Sequence, residues 1–321
     1  MRFVSSRPKK QPTEIGGGIN HTMRQIVFAF IALFLVLPCH AQEMPGRPKI
    51  LGIAYVKLKV TDMDKAQAFY GGTLGVASMD VACHGFADAC FTINAKQHIE
   101  LVNTAPGTQG SYLAEIGLAT DDVVRMRNYL TAHGVSAGKI IPGANHSSYF
   151  KTQDFEGNNI ALVQLAKDPT EIVNPKALST VLFHAGFVVK DSKAENRFYQ
   201  DLLGFHLYWK GGFKDDGLDW YEIQVPDGNN WIEYMLNIPA NADHLELGVQ
   251  NHFSLGIVSA DSAAERLRAN GLKEFDGPEV GRDGKKALDA YDPDHTRVEV
   301  MEFVPTGKPC CSEYTGPHPK P

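Results

Sequence analysis

The chain has 321 residues, enough for one large domain or two of ordinary size, and 43% of them are apolar while 21% are charged. This balance is typical of a globular protein that buries a substantial core. The formal net charge of −6 excludes the basic footprint of a nucleic-acid-binding protein and argues against an anionic membrane surface as a partner.

The N-terminus has the pattern of an export signal. A short basic start, Met23–Gln25, precedes an unbroken apolar run, Ile26–Leu37, and the small residue Ala41 follows. A membrane-spanning helix needs about 20 apolar residues, so this shorter run predicts a cleaved signal peptide at residues 23–41. Residues 1–22 are polar and rich in glycine, and we interpret them as an extension ahead of the true start. The protein is therefore expected to be periplasmic or extracellular, with no membrane contact after cleavage.

Export changes the interpretation of the cysteines, because an oxidising compartment permits disulfides. Four cysteines follow the predicted cleavage site: Cys83, Cys90, Cys310 and Cys311. Cys83 and Cys90 flank a polar loop between two apolar runs, so a bridge across a hairpin is one reading. Cys310 and Cys311 are adjacent near the C-terminus. Neither pair has zinc-knuckle spacing, and free thiols remain the alternative for both pairs.

An internal repeat organises the rest of the chain. Matching residues recur without a gap at a constant offset of 129 positions, as from Val60 to Val189. The shared residues are Val60, Asp62, Ala66, Phe69, Tyr70, Leu74 and Gly75 in the first copy and Val189, Asp191, Ala194, Phe198, Tyr199, Leu203 and Gly204 in the second, with Ala66 matched one position away by Ala194. The repeat therefore predicts two similar modules in tandem.

Each copy is predicted to begin with an apolar strand, Ile53–Val60 or Leu182–Val189, followed by a short helix with an aspartate at its N-cap. Three short strands follow, and the pattern of strand, helix and strands then restarts. The first restart is at Glu115 and the second at Asn251. Each copy is thus two βαβββ units, and the fold class is α+β.

The predicted boundaries follow from the same pattern. The first module spans residues 50–168 and the second spans 178–305. A polar linker around residues 167–176, with two prolines, joins them. Residues 306–321 are rich in proline and glycine and are predicted to be a tail.

Strand parity in the second copy points to a metal site. Alternate residues of a strand face the same side, and one histidine or glutamate falls on a single face of each of four strands. These candidate ligands are His184, Glu233, His252 and Glu299. Two imidazoles and one or two carboxylates suit Fe(II), Mn(II), Ni(II) or Zn(II). A lone histidine is more often structural, but four candidates on corresponding strands of a repeat favour metal binding.

In these residues the chain resembles the vicinal oxygen chelate superfamily, which includes glyoxalase I, extradiol dioxygenases and bleomycin-binding proteins. The resemblance lies in the strand that carries His184, in Phe198-Tyr199 and in Leu203-Gly204-Phe205, and it covers roughly residues 50–305. It implies modules that curl into a cupped sheet, either mixed or antiparallel. It also implies metal ligands from the first, fourth, fifth and eighth strands of the second module, which are the four candidates above, and a small-molecule substrate.

The first copy lacks this ligand set. Its matching positions are Tyr55, Glu100, Glu115 and Ala161, of which only Glu100 keeps its residue type. The first module is therefore predicted to be structural or to shape the pocket of the second.

Several softer candidates surround the predicted metal site. Tyr291 and His295 flank the turn before the last strand and are predicted catalytic residues, as proton donors near the metal, with an ordinary turn as the alternative. Arg297 is expected to pair with an anionic substrate or with Glu299. Trp231 and Met235 are expected to line an apolar cavity.

The resemblance leaves the reaction open. Two modules with one working copy favour a dioxygenase-like enzyme, yet Asp289 stands where the extradiol signature has tyrosine, and His295 stands where it has glycine. Four ligands favour a glyoxalase-like lyase or isomerase, and a non-catalytic binding protein is the third alternative. An oligomer is compatible with each.

Overall fold

The structure is a computed structural model that describes residues 46–78, 87–143, 146–166 and 176–321. The predicted N-terminal extension and signal peptide, Cys83 and nearly all of the predicted linker lie outside the described residues. Among the residues that are described, no helix is both long and apolar enough to cross a membrane.

Eight strands of the first copy form one sheet with the order β2-β3-β4-β1-β5-β8-β7-β6. The strands are β1 (Ile50–Val60), β2 (Ala77–Ser78), β3 (Ala89–Asn94), β4 (Gln97–Asn103), β5 (Leu113–Thr120), β6 (Ile141–Pro142), β7 (Ser148–Gln153) and β8 (Asn159–Gln164). The helices are α1 (Met63–Gln67), which continues through a π-helical turn (Ala68–Thr73), and α2 (Val123–Ala132).

The second copy repeats this sheet with the order β10-β11-β12-β9-β13-β16-β15-β14. Its strands are β9 (Val181–Val188), β10 (His206–Gly211), β11 (Trp220–Gln224), β12 (Trp231–Met235), β13 (His252–Ile257), β14 (Asp276–Val280), β15 (Lys286–Tyr291) and β16 (Arg297–Glu302). Its helices are α3 (Ser192–Asn196), with a π-helical turn (Arg197–Leu202), α4 (His244–Gln250) and α5 (Ala260–Ala269).

Both sheets are mixed, which confirms the predicted α+β fold of two tandem modules built from paired βαβββ units. Within each unit the first strand pairs in parallel with the last, as β9 does with β12 and β13 with β16. The two units of a module meet along one antiparallel pair, β1 with β5 and β9 with β13. The helix starts are also as predicted, because the side chains of Asp62 and Asp191 accept hydrogen bonds from backbone N–H groups in the first turn.

Apolar side chains of both sheets belong to one large buried cluster. It contains the alternate residues of β1 and β9 that point away from the candidate ligands, such as Val56 and Ala185, together with Phe69 and Phe198 from the helical segments. The aromatic pair at the end of each first helix is thus core, which is why it recurs in both copies.

A turn from each copy packs against the first helix of the other. In the turn of the second copy, Asp292 accepts a hydrogen bond of 2.8 Å from the Tyr70 hydroxyl. In the matching turn of the first copy, Asp154 accepts one of 3.1 Å from Tyr199. Tyr70 and Tyr199 are one of the repeated pairs, so these contacts are reciprocal.

Residues 306–321, predicted as a tail, pack along β10, and we call them the C-terminal strap. Ser312 bonds to both backbone groups of Lys210, and the Thr315 N–H donates to Tyr208 O at 3.0 Å. Cys310 and Cys311, for which pairing was left open, form a disulfide with each other.

Candidate metal centre

The four candidate ligands of the second module converge at one point inside its cup. The Nε2 atoms of His184 and His252 lie 3.1 Å apart. Glu233 Oε2 lies 3.2 Å from His252 Nε2 and 3.6 Å from His184 Nε2. Glu299 Oε2 lies 3.3 Å from His184 Nε2, and one ligand atom from each of His184, His252 and Glu299 falls within 4.8 Å of the others.

Strand register explains this convergence. Gly186 lies between Glu233 and His252 in one row across the sheet, and the adjacent row runs from His184 through Ser254 to Glu299. Side chains of neighbouring rows on one face are close enough to touch, so residues separated by more than a hundred positions meet.

Three contacts orient the ring of His252. Its Nδ1 lies 3.0 Å from Gln250 O, which can only accept a hydrogen bond, so Nδ1 carries the proton and Nε2 keeps its lone pair. A Cβ on Gly186 would lie 2.1 Å from His252 Cε1, so the ring requires glycine beneath it. Arg297 Nη2 lies 3.0 and 2.9 Å from the two ring nitrogens, which places it over the ring face instead of along one lone pair.

Burial sets the protonation of these groups. It lowers the pKa of His184 well below its ordinary value, and it does the same to His252, where the Arg297 charge adds to the effect. Burial also raises the pKa of Glu299 well above its usual range. Neutral imidazoles are the form that binds a metal, while a buried carboxylate needs a nearby cation to remain ionised.

The donor set therefore fits a divalent metal ion. The buried Oε2 of Glu299 has no hydrogen-bond partner within the described residues, and Nε2 of each histidine faces the shared point. Two histidines and one carboxylate on one side form the arrangement that holds Fe(II) and related ions with positions left open. Glu233 Oε2 lies 3.2 Å from His252 Nε2, and its role as a fourth ligand stays a prediction.

In the first cup, a lysine ammonium stands among the corresponding positions. Register places Lys57 where the second copy has Gly186, and its neighbours across the sheet are Glu100 and Glu115. Lys57 Nζ lies 2.8 Å from Glu100 Oε2 and 3.3 Å from Glu115 Oε1. Tyr55, the counterpart of His184, donates its hydroxyl to Glu115 at 2.6 Å. Ala161, at the Glu299 position, offers no ligand. Because Lys57 lies between Glu100 and Glu115, the carboxylates of this cup are neutralised by a side chain of the protein.

The predicted proton donors lie outside the four-residue cluster. Tyr291 donates its hydroxyl to Asp276 at 2.9 Å and stacks on His295 with ring centroids 4.7 Å apart. Tyr291 pairs across the strands with Arg297, so one side chain separates it from His252. The turn between Tyr291 and His295 holds Asp292, which contacts the first module. A catalytic role for Tyr291 and His295 stays a prediction, and these contacts give it no support.

The structure also shows contacts that the sequence reasoning did not predict. Lys285 is fully buried in the second cup, and its Nζ lies 4.4 Å from the centroid of the Trp231 ring and 3.7 Å from Asp283. Arg297 pairs with Asp289 at 3.4 Å. The position of Asp289 on the inward face of its strand could have been predicted from the alternation of residues. Nothing in the local sequence distinguishes Lys285 from an exposed lysine in a turn.

Comparisons with known proteins concern the fold and the sequence of the second module. The sequence model of the Glyoxalase/Bleomycin resistance protein/Dioxygenase superfamily matches residues 181–300, the segment that carries all four candidate ligands. A comparison with curated proteins finds no match.

Solved structures with the same fold include several ring-cleaving enzymes. The anaerobic substrate complex of homoprotocatechuate 2,3-dioxygenase from Brevibacterium fuscum has a TM-score of 0.59 at 16% identity over 80% of this chain and 82% of that chain. The 2,3-dioxygenase LapB from Pseudomonas sp. KL28 has a TM-score of 0.60 at 16% identity, over 86% of this chain and 96% of that chain. A room-temperature structure of an extradiol ring-cleaving dioxygenase from B. fuscum scores 0.61 at 16% identity, over 85% and 76%. At this identity the likeness shows the fold.

The fold and the site define a class of proteins built from paired cupped modules. The second module, residues 181–300, matches the superfamily model, and the chain shares the two-module fold of the extradiol dioxygenases, which is the resemblance that its sequence motifs predicted.

Proposed function

We propose that the protein is a metal-dependent, dioxygenase-like enzyme that acts on a small molecule with two vicinal oxygens. The observation that carries this proposal is the convergence of His184, His252 and Glu299 within 4.8 Å in the second cup. A divalent metal held there would supply a Lewis acid for the two substrate oxygens. Fe(II), Mn(II), Ni(II) and Zn(II) all suit the donor set.

The chain's own residues prepare this site. Burial keeps both imidazoles neutral, and Gln250 together with Arg297 holds the His252 ring in place. Glu233 lies against both histidines and can hold a substrate proton. The Arg297 guanidinium, paired with Asp289, supplies positive charge beside the His252 ring, which favours a substrate that becomes anionic.

A glyoxalase-like lyase or isomerase is the second candidate, and Glu233 is the observation that favours it. Its carboxylate lies 3.2 Å from His252 and 3.6 Å from His184, close enough for a four-ligand centre. A screen with catechols and 2-oxoaldehydes separates the two activities, because ring cleavage consumes oxygen whereas isomerisation does not. A non-catalytic binding protein would bind such compounds without turning over either class.

Metal retention tests the proposal directly. Protein purified without tags is expected to retain close to one equivalent of a divalent transition metal, measured by elemental analysis after aerobic and anaerobic preparation. His252→Ala is expected to lose that metal and stay folded, because the imidazole supplies a ligand nitrogen.

His133→Ala is the matched control, since His133 is exposed on the first module and should leave metal content unchanged. Wild-type protein with less than about a tenth of an equivalent, or full retention by His252→Ala, would place the proposal in conflict with the measurement.

We also propose that the protein is exported, on the strength of the basic start, apolar run and Ala41 in residues 23–41. Expressed from Met23 in a bacterial host, the processed chain is expected to begin at Gln42 and to be recovered outside the cytoplasm. N-terminal sequencing of the fractionated protein checks this. An uncleaved chain confined to the cytoplasm would contradict export.

A further inference from the structure

A row of aromatic rings runs from His184 to the C-terminal strap. The Trp231 ring lies 4.8 Å from the His184 ring and 5.1 Å from the Tyr208 ring. Tyr208 lies 4.8 Å from Tyr314, and Tyr314 lies 4.7 Å from His318. We call Trp231, Tyr208, Tyr314 and His318 the aromatic row. Its last two members belong to the strap.

The Lys285 ammonium group lies close to three rings of the aromatic row. Its Nζ lies 4.4, 5.1 and 4.7 Å from the ring centroids of Trp231, Tyr208 and Tyr314. A desolvated ammonium attracts the faces of aromatic rings, so it holds these three rings together. Within the described residues this fully buried Nζ has no hydrogen-bond partner, so the ring faces and the carboxylates of Asp283 and Glu222 compensate its charge.

Hydrogen bonds fix the strap end of the row. The Tyr314 hydroxyl donates to Asp283 at 2.9 Å, and the Tyr208 hydroxyl and His318 Nδ1 are bonded at 2.6 Å. Gln224 Nε2 donates to Pro317 O at 2.9 Å, which holds the strap against β11. Tyr314 is therefore kept at one ring position.

The two histidines of the centre differ in what orients them. The Nδ1–H group of His252 donates a hydrogen bond to Gln250 O, as the second nitrogen of a metal-bound histidine usually does. The second nitrogen of His184, Nδ1, is buried and has no hydrogen-bond partner among the described residues. The ring of His184 must therefore be held by packing, and the Trp231 ring packs against it with an interplanar angle of 32°.

We propose that the aromatic row positions His184 in place of the missing hydrogen bond, and that Tyr314 in the C-terminal strap is thereby a positioning residue of the metal centre. This inference rests on the proposed function, because it assumes that His184 binds a metal. It assigns the strap a role in metal affinity although the strap supplies no ligand.

Titration of the metal-stripped full-length protein with Co(II) tests the proposal. Tyr314→Ala is expected to weaken Co(II) binding about tenfold or more, the range seen when the group that orients a ligand is removed. The visible absorption of the Co(II) protein is expected to change as well, because it reports the ligand geometry at the metal. Tyr314→Phe keeps the ring and is expected to restore both the affinity and the spectrum of the wild type.

Ser312→Ala is the matched control for the strap. It removes the strap's bonds to Lys210 and leaves the aromatic row complete, so Co(II) affinity is expected to stay within about twofold of wild type. If Tyr314→Ala does not give a native circular dichroism spectrum, Tyr314→Leu replaces it, since leucine keeps bulk without a ring.

Three results would overturn the inference. Tyr314→Ala could bind Co(II) like wild type, Tyr314→Phe could lose as much affinity as Tyr314→Ala, or Ser312→Ala could lose as much. The second result would assign the effect to the Asp283 bond, and the third to strap attachment. Wild-type protein that binds no Co(II) would instead remove the proposed function itself, and with it this inference.

Discussion

Several positions differ between the two cups, and the strand position of Lys57 and Gly186 shows most directly how the difference changes their chemistry. The second copy has Gly186 there, and its missing side chain leaves room for the His252 ring. The first copy has Lys57, whose ammonium reaches Glu100 and Glu115 at 2.8 and 3.3 Å. Burial alone would lower the pKa of Lys57, but the two carboxylates outweigh burial and raise it. An internal cation thus occupies the place that a metal ion would take in the second cup.

Lys57→Met is expected to destabilise the protein by about 3 to 5 kcal/mol, because it leaves two buried carboxylates without their shared cation. Equilibrium unfolding in urea at neutral pH measures this loss. Lys65→Met is the control, since Lys65 pairs with Asp62 on the exposed surface and its loss should leave the free energy of unfolding nearly unchanged. Equal effects of the two substitutions would contradict the role given to Lys57.

At the scale of the elements, helix α3 buries a carboxyl group against the other copy, whereas the corresponding helix α1 does not. Glu195 is fully buried in α3, whereas its counterpart at the repeat offset is Ala66 in α1. Burial, followed by the charges of Asp154, Glu156 and Asp191, raises the pKa of Glu195 to about 8. Neither carboxylate oxygen has a hydrogen-bond partner within the described residues. The contact between this helix and the Asp154 turn is therefore sensitive to pH.

The sign of that dependence follows from linkage. The pKa of Glu195 is about 8 in the folded protein and about 4.5 when unfolded, so the folded state binds the proton more tightly. The free energy of unfolding should fall as pH rises from about 4.5 to about 8, by about 1.4 kcal/mol for each unit of pKa difference that is realised. Glu195→Ala removes this slope.

Urea unfolding at pH 5 and pH 8.5 checks the prediction. Glu195→Ala is expected to be more stable than wild type at pH 8.5, with a smaller difference at pH 5, where Glu195 is protonated in the folded state. The natural Ala66 shows that this helix position accepts alanine. A stability difference that does not change with pH would contradict the buried-carboxyl account.

At the scale of the whole molecule, the two modules share one large apolar cluster. A turn of each module also forms a hydrogen bond with the first helical segment of the other. The pair of turns uses Asp154 against Tyr199 and Asp292 against Tyr70. Burial raises the pKa of Asp292 to about 6, while the hydrogen bond from Tyr70 opposes that rise. The cup of the first module is filled by ion pairs between its own side chains. This module also supplies apolar core residues and turn contacts to the second module, which carries the ligand set.

Much of this organisation was predictable from the sequence. The constant offset of 129 positions revealed the duplication, and strand parity grouped His184, Glu233, His252 and Glu299 on one face. Both inferences rest on regular patterns in the chain. The duplication leaves a constant offset between matching residues, and the geometry of a strand places alternate residues on one face. The helix caps at Asp62 and Asp191 followed from the local sequence, whereas the form of the sheets was implied by the resemblance to a known superfamily.

Tertiary structure alone decided the rest. Lys57 among two carboxylates, the turn of Asp292 against Tyr70, and Tyr314 in a row that ends at His184 all join residues far apart in the chain. A lysine, a turn or a proline-rich segment has the same local sequence whether it faces water or another strand. What each one does is determined by the neighbour that removes its solvent, and only the packing of the two sheets and the strap supplies that neighbour.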